Sequence, residues 1–348
     1  MTREGIIFRV FGYTHPQDAY VCDAEYAPAT IFGSKNPKAP RNNASNTYFK
    51  FYDDEGWRFV QKEYPKYSVM NDMLQEKIVG VKHRDIFEVR KPEARLKELA
   101  EAKPKDELHT ALKEVLVFTC ERANLSAEDF GVFGSMLHGF YHPKFSDIDL
   151  IIYGRKNLTK LCEELERLYK DDSSLIQNEF KTDESLSRKI WRFKNLSMDE
   201  YLWHQRRKLV YALYKGRTIG RAVKTEFESV KEWHEIKNEY DEHARIKRKG
   251  WTKLVAKVTG DEDAPFIPSV YGIEPLKILE GAKEVLYADK IISYIEEFRM
   301  QVRRDETVYV EGNLEEVTSA DNSRYQIVLT YCPRYYEQVL KRMTPSGV

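Results

Sequence analysis

An α+β fold is predicted. A central α/β core over residues 105–235 is flanked by a β-rich N-terminal domain (1–104) and a β-rich C-terminal domain (236–348) of small-barrel type, OB or related. Three observations predict it. Short aromatic and β-branched runs punctuated by turn residues fill the first hundred residues. Between 106 and 235, apolar runs of strand length alternate with segments of 3.6-residue periodicity. From about 250 onward strand-like runs return without a long helical pattern.

In the first hundred residues, strands are expected over 6–13, 19–26, 48–52 and 77–82. Residues 33–46 are rich in Gly, Pro, Asn and Ser and read as a long polar loop. The charged segment 93–105 reads as a helix and linker. Leu108, Leu112, Val115, Leu116 and Thr119 repeat with helical spacing, so 106–122 is a helix. Residues 130–133 and 148–153 are apolar runs bounded by Gly or Asp, as buried strands are. A second amphipathic helix covers 158–169, and Ser197-Met198-Asp199-Glu200 resembles a cap opening a helix to about 210. Residues 211–224 are strand-like. In the last third, strands are expected over 251–258, 266–273, 307–311 and 325–331, with a helical or mixed piece over 288–298. The basic run 245–249 reads as a solvated linker.

The chain has 348 residues, which at about 150 per domain gives two or three domains. Lys plus Arg is 56 and Asp plus Glu is 56, so a wholesale basic protein of histone type is excluded but a local basic patch is not. With 42% hydrophobic residues, the composition supports folded cores rather than disorder. The apolar runs fall far short of the ~20 residues that span a bilayer, and the first residues lack the layout of a signal peptide. Cys22, Cys120, Cys162 and Cys332 are scattered, without a Cys-x-x-Cys pair. A cytoplasmic protein with free thiols and no membrane partner is expected.

One segment carries chemistry. Phe133-Gly134-Ser135-Met136-Leu137-His138-Gly139 is followed by Ser146-Asp147-Ile148-Asp149-Leu150-Ile151-Ile152. A strand ends in Gly-Ser, a helix follows, and a second strand carries two aspartates at i and i+2. Residues two apart on a strand share a face, so Asp147 and Asp149 converge. Converging carboxylates repel unless a cation lies between them, and oxygen-only ligation selects Mg²⁺ or Mn²⁺. Gly134 permits a turn and a close approach. Ser135 falls where a helix N-cap is expected, and free N–H groups there attract phosphate. Together these describe a metal–triphosphate site.

The arrangement resembles the signature of the DNA polymerase β-like nucleotidyltransferase superfamily: apolar-Gly-Ser, a short spacer, then Asp-apolar-Asp/Glu-apolar. The second glycine of the family's Gly-Ser-x-x-x-Gly is Gly139, and Ser146 before Asp147 also fits. The resemblance is specific over 130–153 and looser over 106–230. The strand-rich flanks look like those of a group of archaeal, largely uncharacterised members. Phe32-Gly33-Ser34 repeats the tripeptide, but no acid-x-acid pair follows it at that spacing, and it reads as loop. The resemblance implies nucleotidyl transfer from an NTP, Mg²⁺ or Mn²⁺ as cofactor, and a third carboxylate on a later strand. The strand-like stretch 217–224 has no acid, so Glu226 directly after it is the choice, with Glu228 the alternative. Where many members have an Arg facing the phosphates, this chain has His138; the resemblance implies donation to phosphate at that position, and the alternative reading, favoured for a histidine, is a surface or packing role.

Local charge is the second feature. Residues 188–224 hold eleven basic side chains against two acids, Asp199 and Glu200, with six aromatics interleaved. Phosphate or nucleic-acid contact is expected of this cluster, with Arg217 and Arg221 on the nucleotide and an RNA 3′ end as the acceptor. Two alternatives stand beside it: a transferase acting on a protein or small-molecule hydroxyl, and a nucleotide- or nucleic-acid-binding protein with reduced catalysis. His138-x-x-x-His142 has metal-pair spacing, but Pro143 ends the turn and no third ligand is near. His234-Glu235 lacks the second His of a zincin, and Ser135 lacks Gly-x-Ser-x-Gly.

Overall fold

The computed structural model describes residues 1–42, 46–181, 191–216, 219–320, 322–330 and 334–343. The chain forms two compact units. The first joins 1–71, 77–179 and 209–240; the second joins 72–76, 180–208 and 241–348. The sequence divisions at 104 and 235 therefore do not coincide with the limits of the units.

The first unit holds two sheets. In the N-terminal sheet are β1 (Ile7–Val10), β2 (Ala19–Pro28), β3 (Pro40–Asn42), β4 (Thr47–Lys50), β5 (Ser68–Asn71) and β6 (Glu76–Lys82), ordered β3-β4-β2-β6-β5 with β1 also on β2. Its core gathers Ile6, Ala24, Phe51, Phe59, Val60 and Tyr67. Helix α1 (Glu55–Glu63), which the sequence reading did not anticipate, buries Phe59 and Val60. Strand β3, expected as loop, pairs with β4.

The central sheet is ordered β7-β8-β11-β10-β9: β7 (Phe130–Val132), β8 (Ile148–Tyr153), β9 (Ile176–Asn178), β10 (Tyr211–Tyr214) and β11 (Val223–Val230). Helices α2 (Pro92–Glu101), α3 (Glu107–Ala123), α4 (Gly134–His138) and α5 (Arg155–Lys170) accompany it. Asp106 caps α3 by accepting a hydrogen bond from the His109 N–H, and a left-handed Asn124 ends the helix. Leu158, Leu161, Leu165 and Leu168 form the buried stripe of α5. One face of β8 and β11 is fully packed, with Ile148, Leu150, Ile152, Val223, Thr225 and Phe227 all buried. The alternation on β11 leaves Lys224, Glu226 and Glu228 together on the opposite face.

Strand β11 corrects the sequence reading. The stretch 211–224 is not one strand: β10 ends at Tyr214 and β11 begins at Val223. Glu226 and Glu228 lie inside a strand rather than beyond its end. Thr225 and Phe227 supply the apolar half of the alternation, a pattern masked by the acids between them.

In the second unit, α6 (Met198–Arg207) starts at a capping box: Ser197 Oγ accepts from the Glu200 N–H, and the Glu200 carboxylate accepts from the Ser197 N–H. The six strands are β12 (Arg245–Asp263), β13 (Ser269–Glu280), β14 (Ala288–Ser293), β15 (Thr307–Ser319), β16 (Asn322–Leu329) and β17 (Val339–Arg342). Pairing runs β12–β13, β13–β14, β14–β16, β16–β15 and back to β12 from β15, so it returns to its starting strand. The β14–β16 pair is parallel and the others antiparallel. Several strands outrun the five to eight residues expected, and 245–249 opens β12, paired with β15, instead of forming a linker. The piece 288–298 is a strand followed by a single helical turn. Residues 191–208 pack within this unit: Phe193 meets Phe298, and the buried His204 Nδ1 lies 2.8 Å from the Gln301 carbonyl.

Phe227 is fully buried on the packed side of β11. Phe227→Ala is expected to lower unfolding free energy by about 3–5 kcal/mol, read as a lower denaturation midpoint in urea.

Candidate functional site

Strands β8 and β11 run parallel with Glu226 directly beside Asp149, and Glu228 beside Ile151. Adjacent strands are about 4.8 Å apart, and side chains at paired positions share a face. Glu226 and Asp149 are thus neighbouring carboxylates on one surface. Asp147 lies one residue before β8. Extending the register by one residue brings Lys224 beside Asp147, and the two charges interact.

Crowding shows in the ionisation. Burial, then Glu226, Asp147 and Glu228, push the Asp149 carboxyl up to about 7. Burial and Glu226 likewise raise Asp147, against the pull of Lys224 and Arg221. Burial disfavours the Lys224 ammonium, but Glu226, Glu179 and Asp147 outweigh it and raise its pKa. The ammonium lies against the Glu226 carboxylate and 3.7 Å from Glu179. Among the described residues no group of three His, Cys, Asp or Glu side chains stands in metal-ligating geometry. The donor set nevertheless suits a hard divalent cation: it is all carboxylate oxygen, and its mutual repulsion is relieved by added positive charge.

The turn before the site explains its glycine. Gly134 has φ +57°, and a Cβ placed there would lie 2.2 Å from Asp149 Oδ2. Any side chain would take the space of that carboxylate. The Phe133 N–H donates to the Asp149 carbonyl at 2.8 Å, tying the turn to β8. Phe133, not Ser135, is the N-cap of α4; Ser135 is the second residue of a five-residue helix. Its place in the first turn still brings it among the unpaired N–H groups of that helix end.

The other expected residues fall out as follows. Ser146 Oγ accepts from the His142 N–H at 2.8 Å. Arg221 Nη2 donates to the carbonyls of Pro143 and Ser146 at 2.9 and 3.2 Å, so it pins the turn before Asp147 rather than facing open solvent. Arg217 lies outside the described residues, as do Arg188 and Lys189 of the basic cluster. His138 departs from its expected place on phosphate. Its ring packs on Tyr26 and Phe140, and Arg90 Nη1 approaches Nδ1 at 3.2 Å. Burial and Arg90 hold its pKa down to about 3, so it carries no positive charge at neutral pH. A cleft of about 490 Å³ lined by Arg90, Arg95, Leu137 and His138 contains none of the site carboxylates in its lining.

The basic cluster is divided between the two units. Arg192, Lys194, Arg206, Arg207 and Lys208 belong to the second unit, whereas Lys215, Arg221 and Lys224 belong to the first. Within the second unit Lys194 pairs with Glu337 at 2.7 Å, Arg207 pairs with Glu306, and Lys208 Nζ donates to the Glu297 carbonyl. These cations are taken up by protein groups.

Sequence reasoning missed Lys50 and Tyr26. They are register partners on β4 and β2. Lys50 lowers the pKa of both Asp147 and Asp149, and Tyr26 feels the Asp149 charge. The N-terminal sheet thereby contributes to the carboxylate site. No local motif marks these residues; only the pairing of β2 with β4 brings them to it.

Comparison with known proteins agrees with the geometry. A family model described as a nucleotidyltransferase domain matches residues 112–209. The match includes Gly134, Ser135, Asp147 and Asp149 and ends before Glu226. The uncharacterized protein MJ1086 of Methanocaldococcus jannaschii is 26% identical over 345 residues, covering 94% of this chain and 92% of its own length. No solved structure matches. The chain carries a nucleotidyltransferase domain, which supports nucleotidyl transfer in general. No helix among the described residues is long and apolar enough to cross a membrane.

Two expectations follow. Gly134→Ala should displace the Asp149 carboxylate and cost about 1–3 kcal/mol in stability. Gly139→Ala has similar φ (+73°) but only Arg95 Nη2 at 3.9 Å in its way. It should cost only the backbone strain of about 1–2 kcal/mol, less than Gly134→Ala, and paired thermal melts compare the two. The second concerns pH. The unfolded chain loses the Asp149 proton near its ordinary pKa of about 3.9, whereas the folded, metal-free protein keeps it to about 7. The folded state thus binds the extra proton, and stability falls with rising pH across that window before levelling. Asp149→Asn should flatten the fall and stabilise the metal-free protein above neutrality by about 1–3 kcal/mol. Mg²⁺ should raise the melting temperature of the unaltered protein there far more than that of the variant.

Proposed function

We propose that the protein is a Mg²⁺- or Mn²⁺-dependent nucleotidyltransferase that moves NMP from an NTP to a hydroxyl acceptor and releases pyrophosphate. The observation that carries this reading is the register of Glu226 beside Asp149 on parallel strands, next to the Gly134–Ser135 turn. Asp147, Asp149 and Glu226 would hold the metal, which would supply positive charge to offset the triphosphate and lower the acceptor's pKa. Glu226 receives the acceptor's hydroxyl proton on a carboxylate oxygen. The N–H groups of the Gly134–Ser135 turn hold the phosphates. Arg221 fixes the turn that presents Asp147.

The acceptor we propose is an RNA 3′ end. Supporting it is the strand circuit of the second unit. Its order runs first-second-third-fifth-fourth and back to the first, a circuit that resembles small barrels of OB type, which bind oligonucleotides. A second reading, nucleotide binding without turnover, is favoured by the Lys224 ammonium lying against Glu226.

Incubation with each α-labelled NTP, Mg²⁺ and a pool of small RNAs tests the proposal. Label should move to RNA, with Asp147→Ala and Glu226→Gln each losing at least about 10²-fold and Glu228→Gln retaining transfer. Tight Mg-NTP binding with no transfer to RNA, protein or small-molecule hydroxyls would favour the second reading. Loss in Glu228→Gln alone would move the third carboxylate two residues on.

A further inference from the structure

The turn between α4 and β8, which leads into Asp147, presents an exposed aromatic ring. Phe145, two residues before Asp147, is 78% exposed. Isolated exposed hydrophobics are ordinary, but the backbone that carries this ring is held in place. The Ser146 and Phe145 N–H groups donate to the His142 carbonyl at 2.9 and 3.1 Å. The His142 N–H donates to Ser146 Oγ at 2.8 Å, and the Lys144 N–H donates to His142 Nδ1 at 3.2 Å. Arg221 ties the carbonyls of Pro143 and Ser146 from β11's side of the sheet. The backbone of this short turn is therefore over-determined, although its aromatic side chain contributes little to any core.

One face of that ring is covered. The His142 imidazole lies over it with centroids 4.5 Å apart and planes tilted by 32°. The remaining face of Phe145 is open to solvent, beside the exposed Lys144.

We propose that Phe145, backed by His142, is a stacking platform for a nucleobase ring bound at the carboxylate site. An open aromatic ring two residues before Asp147, on the segment that enters the proposed nucleotide site, suits a ligand that joins a planar ring to a phosphate chain. Stacking of this kind tolerates any base, because every base has a π-face. It also explains why a phenyl ring stands exposed on a turn held by six hydrogen bonds. The proposal rests on the nucleotide-site reading and adds the element that grips the base. The ring in question belongs either to the NTP or to the terminal nucleotide of the acceptor.

Calorimetric titration of the full chain with Mg²⁺ separates these cases. The ligands are ATP, CTP, inorganic tripolyphosphate and a short single-stranded RNA; the proteins are the unaltered chain, Phe145→Ala and Phe145→Trp. Phe145→Ala should weaken ATP and CTP on the order of 10-fold while leaving tripolyphosphate affinity unchanged. Phe145→Trp should bind like the parent, with its added fluorescence quenched by ATP and not by tripolyphosphate. A loss and quench seen with RNA but not with free NTP assigns the ring to the acceptor. Parental affinity for both NTP and RNA in Phe145→Ala, with no quench in Phe145→Trp, overturns the platform and leaves the nucleotide site standing. If the unaltered chain binds neither tripolyphosphate nor NTP, the site reading falls and the platform with it. The tryptophan variant keeps an aromatic ring on the turn, so the outcome does not depend on the alanine variant folding.

Discussion

Carboxylates on neighbouring parallel strands repel, and the sheet leaves them no room to part. Asp149 and Glu226 are register partners between strands whose other faces are packed with Ile148, Leu150, Thr225 and Phe227. Backbone hydrogen bonds fix the spacing and the apolar layer fixes the facing. The carboxyl of Asp149 responds by holding its proton to about 7, and a cation entering beside it favours the ionised form and displaces that proton. The fold thus keeps its acids poorly solvated and poorly neutralised at one place, at some cost in stability, as functional sites commonly do.

Two internal cations temper this arrangement. Lys224, two residues before Glu226 on the same face, lies against that carboxylate, and the charge of Lys50 on the N-terminal sheet lowers the pKa of both aspartates. A lysine is a flexible point charge with a strongly hydrated head, so it can retreat toward Glu179 or solvent when a divalent ion arrives. Arg221 plays a different part: its planar fork is spent on two backbone carbonyls and holds the turn before Asp147 in shape. Gly134 completes the frame by leaving room for the Asp149 carboxylate where any Cβ would intrude.

Much of this was legible in the sequence. Gly134, Ser135, Asp147 and Asp149 stand in one short segment, and the apolar run after Asp149 announces a buried strand with its acid at the start. Helices α3 and α5 declare themselves by their leucine spacing, and Ser197 and Glu200 mark the start of α6. What the sequence concealed depends on pairing between distant segments. Glu226 looked like the residue after a strand because the acids on β11 hide its alternation; only the partner β8 makes it central. Lys50 and Tyr26 carry no local signal and gain their role from the β2–β4 pairing. The basic run 188–224 reads as one patch in a linear chain, but its residues divide between the two units and several are absorbed by Glu306, Glu337 and the Glu297 carbonyl. His138 follows the same lesson: a histidine two residues from Phe140 is a packing residue once Tyr26 closes over it.

The most direct measurement of the central claim is a crystal soaked with Mn²⁺ and a non-hydrolysable NTP, with the metal located by its anomalous scattering. The account predicts manganese coordinated by Asp147, Asp149 and Glu226, with the Lys224 ammonium withdrawn from Glu226 and the phosphate tail against the Gly134–Ser135 turn. Manganese bound elsewhere, or Lys224 still seated on Glu226 with nucleotide in place, would contradict it.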